Sequence, residues 1–304
     1  MTTATSQGTG PIVLAVIPSL SGNEDELRAL VRSLEDVGMS PVVVATGRKL
    51  DRSLELSAIP HSSPKMNAGF GATIAHVAND RDWEWLAVVN DDVTVETELL
   101  ARCLDGVLGE APAEPLLAYL DPGPSRPIPG LWTVVLSIGS LASILGRLRR
   151  VPEPTISGNA NAQNYFRPFS FTLISRGLWD ALGGFDGAFV YTYEDVDFAR
   201  RAALAGAEIV FAEDAGVVHK KSATGRRYID RVLPVGVWSA CIYLEKWGTP
   251  RLVARGACLL ALAFRLASVP VSSAPRRKHV IGIFRAMAAI VNRTPPRLPD
   301  YEAS

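Results

Sequence analysis

Three features of this sequence carry side chains that can do chemistry. Asn90-Asp91-Asp92 follows directly on the apolar run Trp85–Val89. Glu194-Asp195 stands at the mouth of a helical stretch, and His219 ends a short apolar run downstream. Acids placed directly after a buried strand are costly unless they meet solvent or a cation. A divalent cation bridging a nucleotide diphosphate takes one or two hard carboxylate oxygens and completes its shell with phosphate oxygens and water. The Asn-Asp-Asp turn offers such oxygens, although in isolation it is as well read as a solvated turn. A carboxylate poised beside a hydroxyl can act as a general base. The same Glu-Asp pair also suits a helix start, where the macrodipole favours anions. His219 is a neutral donor fit for a metal, or else a satisfied structural imidazole.

The elements that must position these groups are legible in the apolar pattern. Ile12–Ile17 is a continuous apolar run, the mark of a strand buried on both faces. Glu24–Val37 has helical periodicity through Leu27, Leu30, Val31 and Leu34, and Gly38 ends it. Pro41–Ala45 is a second buried strand, which makes a βαβ unit and implies a parallel sheet. Ligands bind such sheets at the carboxyl ends of the strands. Gly47–Pro64 reads as a polar segment wrapping that edge. Asn67-Ala68-Gly69-Phe70 leads into a helix over Gly71–Ala78, with small residues that admit a ligand close to the backbone. Helices are expected at Glu98–Leu108, Leu131–Leu148, Val232–Trp247, Leu252–Ser268 and from Pro275 onward. Further strands are expected at Leu116–Tyr119, Phe169–Ile174 and Glu208–Phe211.

Composition bounds the rest. The chain has 304 residues and is 48% hydrophobic and 20% charged, the balance of a folded globular protein. A formal net charge of zero argues against a nucleic-acid partner. The charge is unevenly spread: 15 Lys or Arg between His219 and Arg297 face only Asp230 and Glu245. A basic, apolar C-terminal part suits an anionic partner, either a phosphate-bearing substrate or a membrane surface. The 3 cysteines, Cys103, Cys241 and Cys258, have no metal-ligand spacing and fit a reducing cytoplasm. The opening MTTATSQGTG lacks the regions of a signal peptide and reads as a disordered lead-in over 1–10. No apolar run reaches the length of a spanning helix.

Taken together, these motifs resemble the family-2 inverting nucleotide-sugar glycosyltransferases of GT-A fold. The residues that carry the resemblance are Ile17-Pro18, Asn67-Ala68-Gly69-Phe70 and Val89-Asn90-Asp91-Asp92-Val93. The most specific are Gly183-Gly184-Phe185-Asp186, then Tyr193-Glu194-Asp195-Val196-Asp197-Phe198 with Arg201, and Val218-His219. The resemblance implies an α/β fold with a Rossmann-like, mostly parallel sheet flanked by helices, and a helical C-terminal extension. It divides the chain into a transferase domain over 11–222, with a nucleotide-sugar half (11–109) and an acceptor half (110–222), and a basic extension over 223–304. It implies Asp195 as general base with Glu194 beside it, and Asp92 and His219 as ligands of Mg2+ or Mn2+. Pro18, Ser19, Asn67, Gly69, Phe70, Asn90, Asp91 and Lys220 would line the nucleotide sugar, with Lys221, Arg226 and Arg227 near the diphosphate. The implied donor is a dTDP- or UDP-linked sugar, with rhamnose the sugar the resemblance favours. The implied acceptor is a glycan or polyprenyl-linked hydroxyl in cell-surface polysaccharide synthesis. A small natural product as acceptor, or a nucleotide-sugar binder without turnover, are the alternatives. The family pattern places an acid at the end of the second strand; here Ala45-Thr46-Gly47 stands there, and Asp51 is the nearest acid. The resemblance also implies cytoplasmic residence with peripheral contact at the inner face of the membrane, through Leu131–Arg150 and Arg276–Arg293. Leu252–Ser268 reads as packed on the sheet or as a homodimer face.

Overall fold

Runs without a polar side chain can be satisfied only where both faces of a strand are covered, and two of them form the centre of the sheet. They are β1 (Val13–Ser19) and β4 (Trp85–Val89), and Val13–Ile17 and the whole of β4 are buried. The computed structural model describes residues 11–20, 23–64, 67–109, 115–140, 159–212, 214–220, 228–271 and 275–298. Beside β1 and β4 lie β2 (Met39–Ala45), β3 (His61–Ser62), β6 (Leu116–Tyr119), β9 (Phe171–Ser175) and β10 (Glu208–Phe211), while β5 (Val93–Val95) with β11 (Val217–His219) and β7 (Arg126–Pro127) with β8 (Tyr165–Phe166) form two separate ribbons. The seven strands run in the order β10-β6-β9-β4-β1-β2-β3. Every pairing is parallel except those of β9, which runs antiparallel to both β4 and β6.

Alternation along the strands feeds two cores. Val13, Ala15 and Ile17 face one side, which α1 (Glu24–Asp36) and α4 (Thr97–Gly109) cover. Leu14 and Val16 face the other, where α3 (Phe70–Ala78), α6 (Arg176–Leu182) and α7 (Glu194–Leu204) pack. The C-terminal helices α8 (Ile229–Lys246), α9 (Arg251–Ser268) and α10 (Arg276–Asn292) join this second core through Val237, Cys258 and Ile283. Cys241 of α8 and Cys258 of α9 are both buried there, in side-chain contact, whereas Cys103 is half-buried.

Two parts differ from the sequence expectation. The stretch read as a polar wrap contains α2 (Arg48–Ser57), because Leu50 and Leu54, one turn apart, anchor an otherwise polar helix in the core. Ala58 ends it in the left-handed conformation. The helix expected over Leu131–Leu148 is described as α5 (Leu131–Ile138), with Gly139 at its end. Residues 141–158, and with them Arg147, Arg149 and Arg150, lie outside the described residues. Among the described residues no helix is long and apolar enough to cross a membrane.

Candidate active site

The carboxyl ends of β1 and β4 open onto a cleft of about 630 Å³. Pro18, Ser19, Asn67, Gly69, Phe70, Asn90, Asp91, Asp92, Glu194, Asp195 and His219 all line it. The sequence motifs, scattered over some two hundred positions, therefore converge on one cavity. Lys220 does not line it: its Nζ pairs with Glu26 at 3.0 Å, and it is Glu26 that faces the cleft. Asp51 is also elsewhere, on α2, 3.6 Å from His61 Nε2. Lys221, Arg226 and Arg227 lie outside the described residues.

Backbone pairing brings the acidic turn and the histidine together. A ribbon of β5 (Val93–Val95) and β11 (Val217–His219) sets His219 opposite Val93, and Lys220 N donates to Asp92 O. His219 Nε2 then lies 3.0 Å from Asp92 Oδ1. Behind it, Nδ1 lies 3.6 Å from Asp121 Oδ2. Asp121 is itself held by Ser170 Oγ and by the Gly123 N–H at 3.1 Å. Flanked by Asp121 and Asp92, the imidazole is pushed up to a pKa of about 9. Burial works against Asp121's charge, but its contacts with His219, Ser170 and Gly123 keep it below the usual carboxylate range. Asp91 plays a different part, because its Oδ2 accepts from Ser19 Oγ at 2.5 Å and so ties the end of β4 to the end of β1. Burial raises its pKa.

Asp121 was missed in the sequence. Its signal was the one that marked Asp91 and Asp92, an acid directly after a buried strand, here Leu116–Leu120.

The opposite wall is the start of α7. Thr192 and Tyr193 precede it with φ of 62° and 68°, the left-handed region that a β-branched and an aromatic residue seldom adopt. Thr192 rests on α8 at Gly236, where an added Cβ would come within 3.3 Å of its Oγ1. From this turn Asp195 accepts the Val196 N–H at 2.8 Å, and burial raises its pKa. Glu194 is only 7% exposed, and its Oε2 has no partner among the described residues. Burial first, and the neighbouring Asp195 second, push its carboxyl well above the usual range. The two adjacent acids thus occupy different environments.

The remaining motif residues hold this wall in place. Gly183 and Gly184, both at positive φ, close α6, and an added Cβ at Gly184 would meet Trp179 at 2.8 Å. Phe185 enters an aromatic cluster with Phe169, Trp179 and Phe198. Asp197 is fully buried yet satisfied by Arg201 at 2.8 Å, Lys246 at 2.7 Å and the Trp247 Nε1–H at 3.1 Å. Across the cleft, Phe70 N donates to Val190 O at 3.2 Å. At Gly69, with φ of 102°, an added Cβ would fall 2.0 Å from that same oxygen, so the turn requires glycine.

No family model and no curated protein matches the chain. Solved structures do. The mannosyltransferase PcManGT from Pyrobaculum calidifontis, in complex with GDP-Man and Mn2+, aligns over 94% of this chain and 89% of its own with a TM-score of 0.54 at 11% identity. The fold is GT-A. TarS (residues 1–349) of S. aureus covers 93% of this chain and 91% of its own at TM-score 0.46 and 13% identity. Glucosyl-3-phosphoglycerate synthase from Mycobacterium tuberculosis, in complex with Mn2+, uridine-diphosphate and glucosyl-3-phosphoglycerate, covers 79% and 81% at TM-score 0.47 and 15% identity.

The donor set at Asp92 and His219 fits a divalent cation. The two side chains are in contact, and a cation held by both would take the place of the proton they share. Asp121 stands behind Nδ1, the position from which a carboxylate orients a metal-bound imidazole. Among the described residues no group of three His, Cys, Asp or Glu side chains forms a ready cage. A cation held by Asp92 and His219 alone would complete its shell with substrate phosphates and water.

Proposed function

We propose that this protein is a metal-dependent inverting glycosyltransferase, moving a sugar from a nucleoside diphosphate donor to a hydroxyl of a glycan or lipid-linked acceptor. The observation that carries the reading is that Asp92 with His219 and Asp195 with Glu194 face a single cleft from its two walls. Pro18, Ser19, Thr46 and Asn67 line the cleft and would bind the nucleoside. Asp92 and His219 would hold Mn2+ or Mg2+, whose positive charge stabilises the departing diphosphate. Asp195 would take the proton of the acceptor hydroxyl as that oxygen attacks the anomeric carbon on the face away from the diphosphate. Its raised pKa brings it nearer to the operating pH and so improves it as a base. Glu194, whose carboxyl is pushed by burial well above the usual range, would stand beside it as a second carboxyl that binds its proton more tightly than a free one.

A deoxyhexose donor such as dTDP-rhamnose and a role in cell-surface polysaccharide synthesis extend this reading. So does peripheral residence at the inner face of the membrane, which the exposed Trp132 would serve. The test is a panel of dTDP-, UDP- and GDP-sugars, scored for binding with and without Mn2+ or Mg2+, followed by transfer assays on wild type and Asp195→Asn. The variant is expected to bind donor and lose transfer. Transfer that persists in Asp195→Asn, or in excess chelator, overturns the assignment of the base or of the metal.

A further inference from the structure

A second cavity of about 450 Å³ lies beside the cleft, between the start of α8, the outer part of α10 and the segment after it. The partition between the two is thin. Tyr228 and Val232 line the cleft while Arg231 and Pro234 line the groove, so one turn of α8 separates them. The following chain crosses in the same way, with Arg297 in the groove and Leu298 in the cleft.

The groove is cationic. Arg231, Arg285 and Arg297 line it and are exposed. Asp230 is the one acid among its described residues, and Arg285 Nη1 already lies 3.4 Å from its Oδ2. No Asp or Glu occurs anywhere from Arg251 to Arg297. The groove also continues into an apolar strip. Ile281, Phe284, Ala288 and Val291 recur at helical spacing on α10, and Ala288 lines the groove itself. Phe284 is 55% and Val291 66% exposed.

We infer that this groove binds an anionic amphiphile, a phosphate or diphosphate ester of a hydrocarbon chain, and that this is the carrier end of the acceptor whose hydroxyl reaches Asp195. The inference rests on the transferase reading of the cleft. The guanidinium groups suit phosphate oxygens as charge-assisted donors, and the strip gives the chain an apolar surface to cover. A second copy of this protein is a poorer occupant, because a two-fold contact would set the arginines of one groove against those of the other.

The experiment uses the full chain, with the tightest-binding nucleoside diphosphate present at saturation, and titrates farnesyl phosphate, inorganic phosphate and farnesol by calorimetry. Farnesyl phosphate is expected to bind more tightly than either fragment without displacing the nucleotide. The double variant Arg231→Ala/Arg285→Ala should weaken it about tenfold or more, and Phe284→Ser should weaken farnesyl phosphate but not inorganic phosphate. Nucleotide affinity should stay unchanged in both variants, which also shows that they are folded. Displacement by the nucleotide, or equal affinity in wild type and variants, overturns the proposal. It is equally overturned if phosphatidylglycerol vesicles float the protein with the same variant sensitivity while soluble farnesyl phosphate does not bind, since the groove then reads membrane headgroups. Failure of the transferase reading appears separately, as a wild type that binds no nucleoside diphosphate.

Discussion

His219 is held from both sides by carboxylates, and only one of them, Asp92, lies in a motif that draws attention in the sequence. Asp121 is expected to fix which imidazole nitrogen faces the cleft. Asp121→Asn should therefore lower Mn2+ affinity about ten- to a hundredfold, read by the free-Mn2+ electron paramagnetic resonance signal with nucleoside diphosphate present. Unchanged affinity would show that Asp121 only packs. Glu194 gives a second prediction, with a definite sign. Its pKa is raised in the folded protein above that of the unfolded chain. Its contribution to stability is thus fully present below the unfolded value, about 4.3, and is lost as the pH rises through the folded value. Glu194→Gln removes that loss, so the melting midpoint of the variant should gain on wild type more at pH 8 than at pH 4. An equal offset at both pH values would mean that the site does not raise the carboxyl's pKa.

At the scale of elements, the site is two strand ends and one helix start held in register by glycines and buried charges. Gly69→Ala would drive a Cβ into Val190 O, against a φ that disfavours any side chain. A loss of about 2 kcal/mol or more in denaturant unfolding is expected, in the range of severe backbone changes. Asp197→Ala would remove the buried partner that Arg201 and Lys246 share and should cost about 1–3 kcal/mol, because Lys246 keeps Asp186 and Arg201 keeps the carbonyls of Leu182 and Gly184. The strands were legible in the sequence because burial on both faces leaves long apolar runs, and every long strand of the sheet is within two residues of its expected position. Helix α2 was not, since only Leu50 and Leu54 turn inward in an otherwise polar segment whose third leucine, Leu56, faces solvent, and that makes a narrow stripe. The cleft residues were legible as a set because polar groups at strand ends have few structural reasons to be there. The pairing of Asp121 with His219 was not, because it depends on how β6 and β11 meet in space and not on any spacing along the chain. Asp197 carried the same motif signal as Asp195 and proved to be a buried anchor. Acids two positions apart on a helix point in different directions, and only the fold tells which one reaches the cavity.

For the molecule as a whole, α8 to α10 belong to the same hydrophobic cluster as one face of the sheet. They also reach the Glu194-Asp195 wall of the cleft, since Gly236 supports Thr192 and Lys246 anchors Asp197. A chain ending at Pro250 would uncover the side of α8 against which α9 and α10 pack, and is expected to lose cooperative unfolding and nucleotide binding together. A truncated chain that still melts in one sharp transition and binds nucleotide would show the last two helices to be an independent appendage.

The three thiols turn this arrangement into a built-in clock. Cys103 is half-buried on α4, whereas Cys241 and Cys258 sit inside the joint between α8 and α9. Under native conditions a thiol reagent should consume one equivalent early, and the other two only when that joint parts. The slow phase then times how often the C-terminal layer lifts from the sheet, in unlabelled, unmutated protein. If acceptor carriers do lie against α10, their presence should lengthen it.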